Sequence, residues 1–367
     1  MHSEAKHEFP YRWNLKDTVF TKDKGTVLSC FSAGGGSTLG YKLAGYDVIG
    51  CVEQDPKMIN AYIENNHPKF PFLSPVQLFK KRQLPKYGGD LPIELESLDI
   101  LDGSPPCSSF SMSGNREEDW GKKRKFKEGD SAKANPQVLD TLFFDFIDIA
   151  KQFQPKVVVA ENVKGMLMGN AIAYATRVYK ELEEAGYVVQ HWVLNSAKMG
   201  VPQARERVFF IGLRKDLAGK FMRQVDLFNQ VPHLDLDFNE QQIPFGDIAN
   251  DKPADPKKKV SKVALKYYDK CEQGAIFSTV AGPGKCFNWC RLSMTKPMST
   301  ITTGTDGMYH PTIMRPINDE EIILGSSFPL DYKFGKVKVG YICGMAVPPL
   351  MTAHISKRIY EQWLSKI

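Results

Sequence analysis

A single cysteine stands directly after two prolines, in the segment Pro105-Pro106-Cys107-Ser108. Consecutive prolines fix the backbone just before the thiol, so the segment presents Cys107 rigidly. A cysteine attacks as its thiolate, which a helix N-terminus or a nearby cation stabilises. Cys107 is therefore a candidate nucleophile, although such a segment taken alone is more often a buried structural cysteine in a proline-rich turn.

Two further segments place charged side chains at the ends of apolar runs. Glu161 follows Val157–Ala160, and a carboxylate at the carboxyl end of a buried strand lies at the active-site edge of an open α/β sheet. There it could donate a proton, although a helix-capping acid fits as well. Arg205 and Arg207 precede Val208–Leu213, and strand alternation predicts that they point to one side. Such a pair could hold a base carbonyl oxygen or stabilise a thiolate, although solvated arginines at a strand start are commoner.

A glycine-rich turn follows the first predicted strand, Thr26–Cys30. It reads Phe31-Ser32-Ala33-Gly34-Gly35-Gly36, and Glu53 ends the next strand. Glycines let the backbone approach a ligand, and an acid at that place in a doubly wound fold binds ribose hydroxyls. The turn lacks the Gly-Lys-Ser/Thr ending of a triphosphate-binding loop. These features favour a nucleoside ligand, and a tight turn beside a surface carboxylate is the alternative.

The scaffold that must position these segments is predicted by the hydrophobic periodicity. Strand-like runs alternate with helical spacing up to about residue 228, which predicts an α/β domain with a mostly parallel sheet. Beyond that point proline and glycine become frequent and the alternation is lost. We expect a catalytic and cofactor-binding domain over 1–228 and a smaller irregular domain over 229–335. A C-terminal segment, 336–367, is expected to return to the first domain.

Composition limits the class of protein only loosely. The net charge of +6 and the pI near 8.7 are compatible with a polyanion partner but do not require one. No stretch approaches the ~18–20 apolar residues that span a bilayer, so we expect no membrane association and a cytoplasmic, nucleoid-associated protein. Seven scattered cysteines indicate a reducing compartment. Cys271, Cys286 and Cys290 lack a fourth ligand and zinc-site spacing, so no metal is expected.

The order of these segments resembles the DNA (cytosine-5) methyltransferase family of the bacterial and phage modification type, from about residue 25 to 360. Pro105-Pro106-Cys107 is similar to its nucleophile loop, Glu161-Asn162-Val163 to its Glu-Asn-Val motif, and Gln203-x-Arg205-x-Arg207 to its Gln-x-Arg-x-Arg motif. The other similar segments are Phe31–Gly36 with Glu53, Thr141–Asp145, Arg315–Asn318 through Glu321, Leu324-Gly325, and Gly344–Pro348.

The resemblance implies a Rossmann-like S-adenosylmethionine-dependent methyltransferase domain, with a target-recognition domain over 229–335. It implies methyl transfer from S-adenosylmethionine, which leaves S-adenosylhomocysteine, to carbon 5 of a cytosine flipped out of double-stranded DNA. Cys107 would attack the ring, Glu161 would act at ring nitrogen 3, Arg207 would contact the base carbonyl oxygen, and Arg205 would support the thiolate. The implied cofactor-binding residues are Phe31, Ala33, Gly34, Gly35, Gly36, Glu53, Pro106, Leu142, Ala346 and Val347.

The family also implies a setting for the enzyme. We expect a monomer that belongs to a restriction-modification system, with a cognate endonuclease acting separately, or an orphan modification enzyme. The segment Ser111–Pro136, with its basic run Lys122–Lys127, is expected to close over DNA and to contact phosphates. The absence of a long N-terminal extension favours the bacterial or phage type.

Three residues depart from the family pattern, and three other functions compete. Ala33 stands at a usual glycine, Ser108 at a common glutamine and Met345 at a usual asparagine. The closest rival is an RNA-directed member that methylates tRNA, which the sizeable irregular region disfavours. A catalytically silent DNA-binding relative is disfavoured by the intact Cys107, Glu161 and Arg207. A nicotinamide dehydrogenase would leave the Pro-Pro-Cys and Gln-x-Arg-x-Arg segments unexplained.

Overall fold

The computed structural model describes most of the chain. The described residues are 7–82, 91–106, 123–124, 137–138, 141–169, 171–226, 229–256, 258–283, 285–286 and 289–367, with the backbone alone described at 123–124 and 137–138. Cys107 and Ser108 lie outside these residues. The same holds for nearly all of the predicted closing segment and for the side chains of its basic run.

The chain divides into two compact units. The sheet unit comprises Phe20–Leu194, Glu206–Asp237 and Thr352–Ile367, and the loop-rich unit comprises Met1–Val19, Asn195–Arg205 and Phe238–Met351. The predicted division at 228 and 335 differs from these bounds, since the loop-rich unit also takes in the N-terminal residues, the segment up to Arg205 and residues 336–351. Sequence periodicity cannot reveal this, because it reports local structure and not which distant segments pack together.

A seven-stranded sheet forms the core of the sheet unit and confirms the predicted α/β class. The strands of this unit are β1 (Thr26–Cys30), β2 (Asp47–Glu53), β3 (Phe70–Leu73), β4 (Ile100–Gly103), β5 (Lys123–Arg124), β6 (Gln137–Val138), β7 (Val157–Val163), β8 (Tyr187–Asn195), β9 (Glu206–Arg214), β10 (Met222–Gln224) and β11 (Gln230–Pro232). The order in the large sheet is β3-β2-β1-β4-β7-β9-β8. The first five strands in this order are parallel to their neighbours, namely β3, β2, β1, β4 and β7. Strand β9 runs antiparallel to β7.

Helices cover both faces of this sheet. They are α1 (Gly36–Leu43), α2 (Pro56–Asn66), α3 (Val76–Lys80), α4 (Leu142–Phe153), α5 (Ala171–Glu184) and α6 (Lys215–Ala218). Leu28 and Leu101 join the apolar cluster that includes Phe146 of α4. Their neighbours Ser29 and Asp102 point to the opposite face, where Tyr41 of α1 lies. The strands are therefore buried on both sides, as expected for a parallel sheet.

Local sequence sets the ends of several of these helices. Asp55 caps α2 by accepting hydrogen bonds from the backbone amides of Lys57 and Met58, and Pro56 occupies the first helical position. Helix α4 begins at Leu142, whereas the periodicity predicts a start near Val138, which the structure assigns to β6. No helix among the described residues is both long enough and apolar enough to cross a membrane.

The loop-rich unit has little regular structure. Its elements are α7 (Lys262–Tyr267), α8 (Ser278–Ala281), β12 (Cys290–Arg291), β13 (Met308–Tyr309), α9 (Asp319–Gly325) and α10 (Val339–Met345), and the unit boundary falls within α11 (Pro349–Gln362). Tyr268, Cys271, Phe277 and Tyr309 form one of its apolar clusters. Cys271 donates through Sγ to the carbonyl oxygen of Ala275 (3.5 Å), and the expected absence of a metal stays a prediction.

A buried ion pair organises the loop-rich unit around α9. The Arg315 guanidinium donates to both carboxylate oxygens of Glu321 at 2.8 Å, and Glu321 is fully buried. The same carboxylate accepts from the backbone amide of Asn318, whose side chain in turn caps the helix at the amide of Glu321. Asn250 adds a backbone amide to the carboxylate (3.2 Å). The motif residues Arg315 to Glu321 thus form a hydrogen-bonded polar network in the core of this unit.

We expect Glu321→Ala to destabilise the protein by roughly 3–5 kcal/mol, because the Arg315 charge would stay buried without its partner. The neighbouring Glu320→Ala is the matched control, since Glu320 pairs with Lys252 in a more exposed position and should cost at most about 1 kcal/mol. Urea denaturation of both variants measures the difference. Equal losses would show that the buried pair does not stabilise the unit.

Candidate active site

The carboxyl end of β7 brings Glu161 and Arg207 together. Glu161 lies opposite Phe209 in the antiparallel β7–β9 register, and Arg207 lies opposite Val163. The Arg207 Nε atom is 2.9 Å from Glu161 Oε1, with 14% and 10% of the two side chains exposed. Burial lowers the pKa of Arg207, and the Glu161 carboxylate opposes that change. The pair offers an acid and a cation side by side in a partly desolvated place.

Asn162 connects this strand end to the segment that leads to the candidate nucleophile. Its Nδ2 atom donates to the carbonyl oxygen of Pro105 (3.3 Å), and its Oδ1 atom accepts from the amide of Val163 (2.8 Å). Pro105 stands two residues before Cys107, which is outside the described residues. No separate role was predicted for Asn162 from the motif alone. Its buried amide fixes the approach of the chain to Cys107, in line with the rule that buried polar groups find partners.

The predicted cofactor turn is bound to the predicted ribose-binding acid. Glu53 accepts hydrogen bonds from the amides of Ala33 (2.9 Å) and Asp55 (2.8 Å). Burial raises the pKa of Glu53, and the two amides oppose the rise. Each carboxylate oxygen can accept more than one hydrogen bond, so the group keeps acceptor sites for a hydroxyl pair. The turn and the acid fit a nucleoside ligand.

The turn itself is conformationally demanding. Phe31 (φ 54°), Ala33 (φ 43°) and Gly35 (φ 82°) all have left-handed backbones. A Cβ atom on Gly35 would lie 2.6 Å from Asn66 Nδ2 and 2.9 Å from Tyr62 Cδ2, so only glycine fits there. Ala33 also has a left-handed backbone, although it carries a Cβ atom. L-residues rarely adopt this conformation. The departure from the family's glycine therefore falls where a glycine would be preferred.

A buried carboxylate that sequence reasoning missed lies inside the sheet. Asp102 of β4 accepts hydrogen bonds from Ser29 Oγ (3.0 Å) and Tyr41 Oη (3.2 Å). Desolvation raises the pKa of Asp102 to about 7, against the two hydroxyl donors. The signal was a polar residue in each of two apolar strands, Ser29 in β1 and Asp102 in β4, which pair in register. The cluster joins the end of β4, where the Pro-Pro-Cys segment begins, to β1 and α1.

The described side-chain hydrogen bonds of Arg205 go to backbone carbonyl oxygens. Arg205 belongs to the loop-rich unit, is 2% exposed, and donates to the carbonyl oxygens of Ile301 (2.8 Å) and Gly344 (2.9 Å). Because β9 begins at Glu206, strand alternation does not govern the direction of Arg205. Its expected role at the thiolate stays a prediction, and its described contacts position the backbone of two segments.

Gln203, the first residue of the same motif, acts in a similar way. Its side chain donates to the carbonyl oxygen of Gly325 (3.1 Å) and accepts from the amide of Ile301 (2.9 Å). The side chain is fully buried. Sequence reasoning gave it no role, although glutamine can donate and accept at once, which suits it to join two backbone segments.

The other expected cofactor residues lie in buried or partly buried places. Leu142 begins α4 and belongs to the apolar cluster of the sheet unit, and Pro106 is partly buried. Ala346 and Val347 are buried in the loop-rich unit just after α10, while the neighbouring Met345 is 36% exposed. Their contacts with a cofactor stay predictions.

Comparison with known proteins identifies the family. The family model of C-5 cytosine-specific DNA methylases matches residues 25–361. The chain belongs to this family. The resemblance of the motifs is thereby confirmed over nearly the whole length.

Relatives and solved structures agree with that assignment. Type II methyltransferase M.FnuDI from Fusobacterium nucleatum is 36% identical over 52% of this chain and 47% of that protein. Type II methyltransferase M.MthTI from Methanothermobacter thermautotrophicus is 25% identical over 91% of this chain and 96% of that protein. The alignments at higher identity thus span about half the length of the curated relatives.

A prophage-encoded protein of Escherichia coli, described as a DNA modification methyltransferase, has a similar fold. Its structure matches with a TM-score of 0.65 at 20% identity, over 92% of this chain and 99% of that chain. At this identity the likeness shows the fold alone. It agrees with the methyltransferase-type sheet that the strand order describes.

We expect Ala33→Gly to raise the free energy of unfolding by about 1 kcal/mol, since glycine adopts the left-handed conformation without the clash of a Cβ atom. Ala44→Gly is the matched control, because Ala44 is the C-cap of α1 in a right-handed conformation, so glycine there should not raise the free energy of unfolding. Thermal or urea denaturation gives both values. A loss of stability in Ala33→Gly would mean that the turn is not strained by its alanine.

Asp102 predicts a pH dependence of stability. Its folded pKa of about 7 lies above the ordinary 3.8, so the folded state holds the proton more tightly than the unfolded chain. The stabilisation that the protonated Asp102 gives to the folded state is therefore present at low pH and is lost as the pH rises from about 4 through about 7. Over that range the free energy of unfolding falls by up to about 1.4 kcal/mol per pH unit. We therefore expect Asp102→Asn to gain stability relative to the wild type between pH 5 and pH 8, measured by urea denaturation.

The control for that measurement is Asp237→Asn, an exposed aspartate of the same unit. It should follow the wild type at both pH values. If the free energy of unfolding of Asp102→Asn differs from that of the wild type by the same amount at pH 5 and at pH 8, Asp102 does not titrate in this range.

Proposed function

We propose that this protein transfers a methyl group from S-adenosylmethionine to carbon 5 of a cytosine in double-stranded DNA. The observation that supports this most directly is the Glu161–Arg207 pair at the end of β7, beside the Asn162–Pro105 contact that leads to Cys107. The proposed reaction needs an acid, a cation and a thiol at one place. The sheet unit supplies the acid and the cation there and holds the backbone two residues before the thiol.

The chemistry requires that the ring be activated before methylation. In the proposed reaction the Cys107 thiolate forms a bond to carbon 6, which makes carbon 5 nucleophilic. Glu161 donates a proton or a hydrogen bond to ring nitrogen 3, and Arg207 donates to the base carbonyl oxygen as negative charge develops. After methylation, water accepts the proton from carbon 5, the bond from carbon 6 to sulfur breaks with its electrons returning to sulfur, and any proton on nitrogen 3 returns to Glu161. These steps restore the aromatic ring and the free thiolate.

The contact between Arg207 and Glu161 serves this assignment. It holds the guanidinium against the carboxylate through Nε, and it is reinforced by Nη1, which donates to the carbonyl oxygen of Glu206 (2.7 Å). We assign the other N–H groups of the guanidinium to the base. Arginine keeps its charge in a buried place better than lysine, since its ordinary pKa is far above neutrality. Lysine at this position would lose the planar fork that contacts two groups at once.

The methyl donor fits the turn after β1. S-adenosylmethionine supplies an electrophilic methyl group on a sulfonium and leaves as S-adenosylhomocysteine. Glu53 is placed to accept hydrogen bonds from its ribose hydroxyls, and the left-handed turn from Phe31 to Gly36 brings backbone close to it. The proposed set of cofactor-binding residues is completed by Leu142, Pro106, Ala346 and Val347.

The target base must leave the DNA helix to reach the thiol, at a cost of a few kcal/mol. We assign sequence recognition to the irregular region 229–335, and phosphate contacts during closure to the basic run 122–127. The protein is proposed to act as a monomeric modification enzyme, with any cognate endonuclease acting separately. The names of type II methyltransferases among its relatives support this setting.

The test begins with bisulfite sequencing of host DNA from cells that express the wild type or Cys107→Ala. We expect methylated cytosines within one short sequence in the wild type and none in the variant. Glu161→Gln should retain binding but slow methyl transfer by about 10²–10⁴-fold, because it cannot donate a proton. A duplex with 5-fluorocytosine in the identified sequence should form a covalent complex with the wild type and not with Cys107→Ala.

Three outcomes would contradict the proposal. Equal methylation by the wild type and Cys107→Ala would remove the thiol from the mechanism. Methylation of tRNA but not of DNA would identify an RNA-directed enzyme. Methylation of neither, by folded protein that binds S-adenosylmethionine and DNA, would identify a silent DNA-binding relative.

A further inference from the structure

One face of α7 and the short turn after it carries three exposed lysines, Lys262, Lys266 and Lys270, here called the lysine face. The buried residues of the same segment are Ala264 and Tyr268. At about 100° per residue, the lysines fall on the side opposite these two. The segment is thus amphipathic, with its apolar side in the core of the loop-rich unit.

The lysine face is held rigidly by contacts on its buried side. The Ser261 side chain caps α7 at the amide of Ala264 (3.1 Å), and the amide of Ser261 donates to Tyr309 Oη (3.1 Å). Tyr268 Oη donates to the carbonyl oxygen of His310 (2.6 Å). The Arg291 guanidinium lies 4.4 Å from the centre of the Tyr268 ring. The face is therefore presented by a fixed element and not by a loose loop.

The lysine face carries three positive charges and one carboxylate, the exposed Asp269, which falls on the same side of the segment. The positive charge of the face is therefore in excess. On α5, by contrast, charges at i and i+4 are of opposite sign in the pairs Arg177–Glu181 and Lys180–Glu184. Lys262 and Lys266 have the same spacing and the same sign, which destabilises an isolated helix by roughly 0.2–0.5 kcal/mol. Within the part of the chain that the structure describes, no carboxylate lies within ion-pair distance of the three lysines, whereas nearby Lys258 pairs with Asp319 (3.0 Å).

The surrounding sequence strengthens this imbalance. Between residues 257 and 296 there are nine lysines or arginines and two carboxylates, an excess larger than the net charge of +6 of the whole chain. A like-charged face on an anchored helix costs stability unless a partner of opposite charge offsets it. DNA, with one negative charge per about 1.7 Å of its axis, is such a partner.

We propose that the lysine face binds the sugar–phosphate backbone of double-stranded DNA and supplies affinity that does not depend on sequence. Lysine suits this role because its ammonium is a point charge on a flexible stem, which reaches phosphates without reading base edges. Residues four apart on α7 rise by about 6 Å, so two ammonium groups can reach separate phosphates. This inference rests on the proposed function and adds a surface outside the candidate active site.

The experiment measures binding of a fluorescein-labelled duplex of mixed sequence by anisotropy, with NaCl varied between about 50 and 200 mM. The variants are Lys262→Ala/Lys266→Ala/Lys270→Ala and the same triple change to arginine. We expect the alanine variant to bind at least about tenfold more weakly at low salt, and its salt slope to fall by about 3, one for each lost phosphate contact. The arginine variant should keep both the affinity and the slope of the wild type.

The matched control is Arg177→Ala/Lys180→Ala on α5, whose charges are already paired with Glu181 and Glu184. It should keep the wild-type slope. An alanine variant with unchanged slope and affinity would overturn the role of the lysine face, while DNA methylation by the wild type would leave the proposed function standing. Wild-type protein that binds RNA or anionic vesicles but not the duplex would overturn both. Circular dichroism confirms that the triple variant is folded, as expected for exposed side chains.

Discussion

The antiparallel pairing of β9 with β7 is the constraint on which the candidate active site depends. In a fully parallel sheet, the start of a strand lies at the edge opposite to the strand ends that form the site. Because β9 runs the other way, its first residues lie beside the last residues of β7, and Arg207 faces Val163. The Arg207 side chain then reaches Glu161 within hydrogen-bond distance. One reversed strand thus brings together two charged groups that are far apart in the chain.

The same edge of the sheet is fixed by buried polar contacts and not by apolar packing alone. Asp102 joins β4 to Ser29 of β1 and to Tyr41 of α1, and Asn162 joins β7 to the carbonyl oxygen of Pro105. Buried polar groups are costly unless they are paired, so each such contact favours one arrangement over its competitors. The backbone before Cys107 is therefore held from both neighbouring strands.

The loop-rich unit achieves order by a different route. Among its described residues, the strands β12 and β13 have two residues each, so long strand ladders do not hold the described segments together. Long polar side chains replace them: Arg205 and Gln203 both bond to the backbone of Ile301, and Arg315 bonds to that of Asn250. Arginine and glutamine suit this role because they carry several donors at fixed angles. The motif residues of this unit thus act largely by holding backbone segments together through side-chain hydrogen bonds.

The sequence by itself determined the α/β class, the positions of β1, β2, β7 and β9 to within a few residues, and the family. These follow from hydrophobic periodicity and from motifs, which are local properties of the chain. It also predicted that Glu161 would stand at a strand end.

The strand order, the reversal of β9 and the division into two units were decided only by the tertiary structure, since each depends on which distant segments pair. The described side-chain hydrogen bonds of Arg205 go to Ile301 and Gly344, the Nε atom of Arg207 contacts Glu161, and β9 begins between the two arginines. Their joint role at the base stays a prediction. Asp102 and Asn162 became visible as site-forming residues only when folding placed their partners beside them.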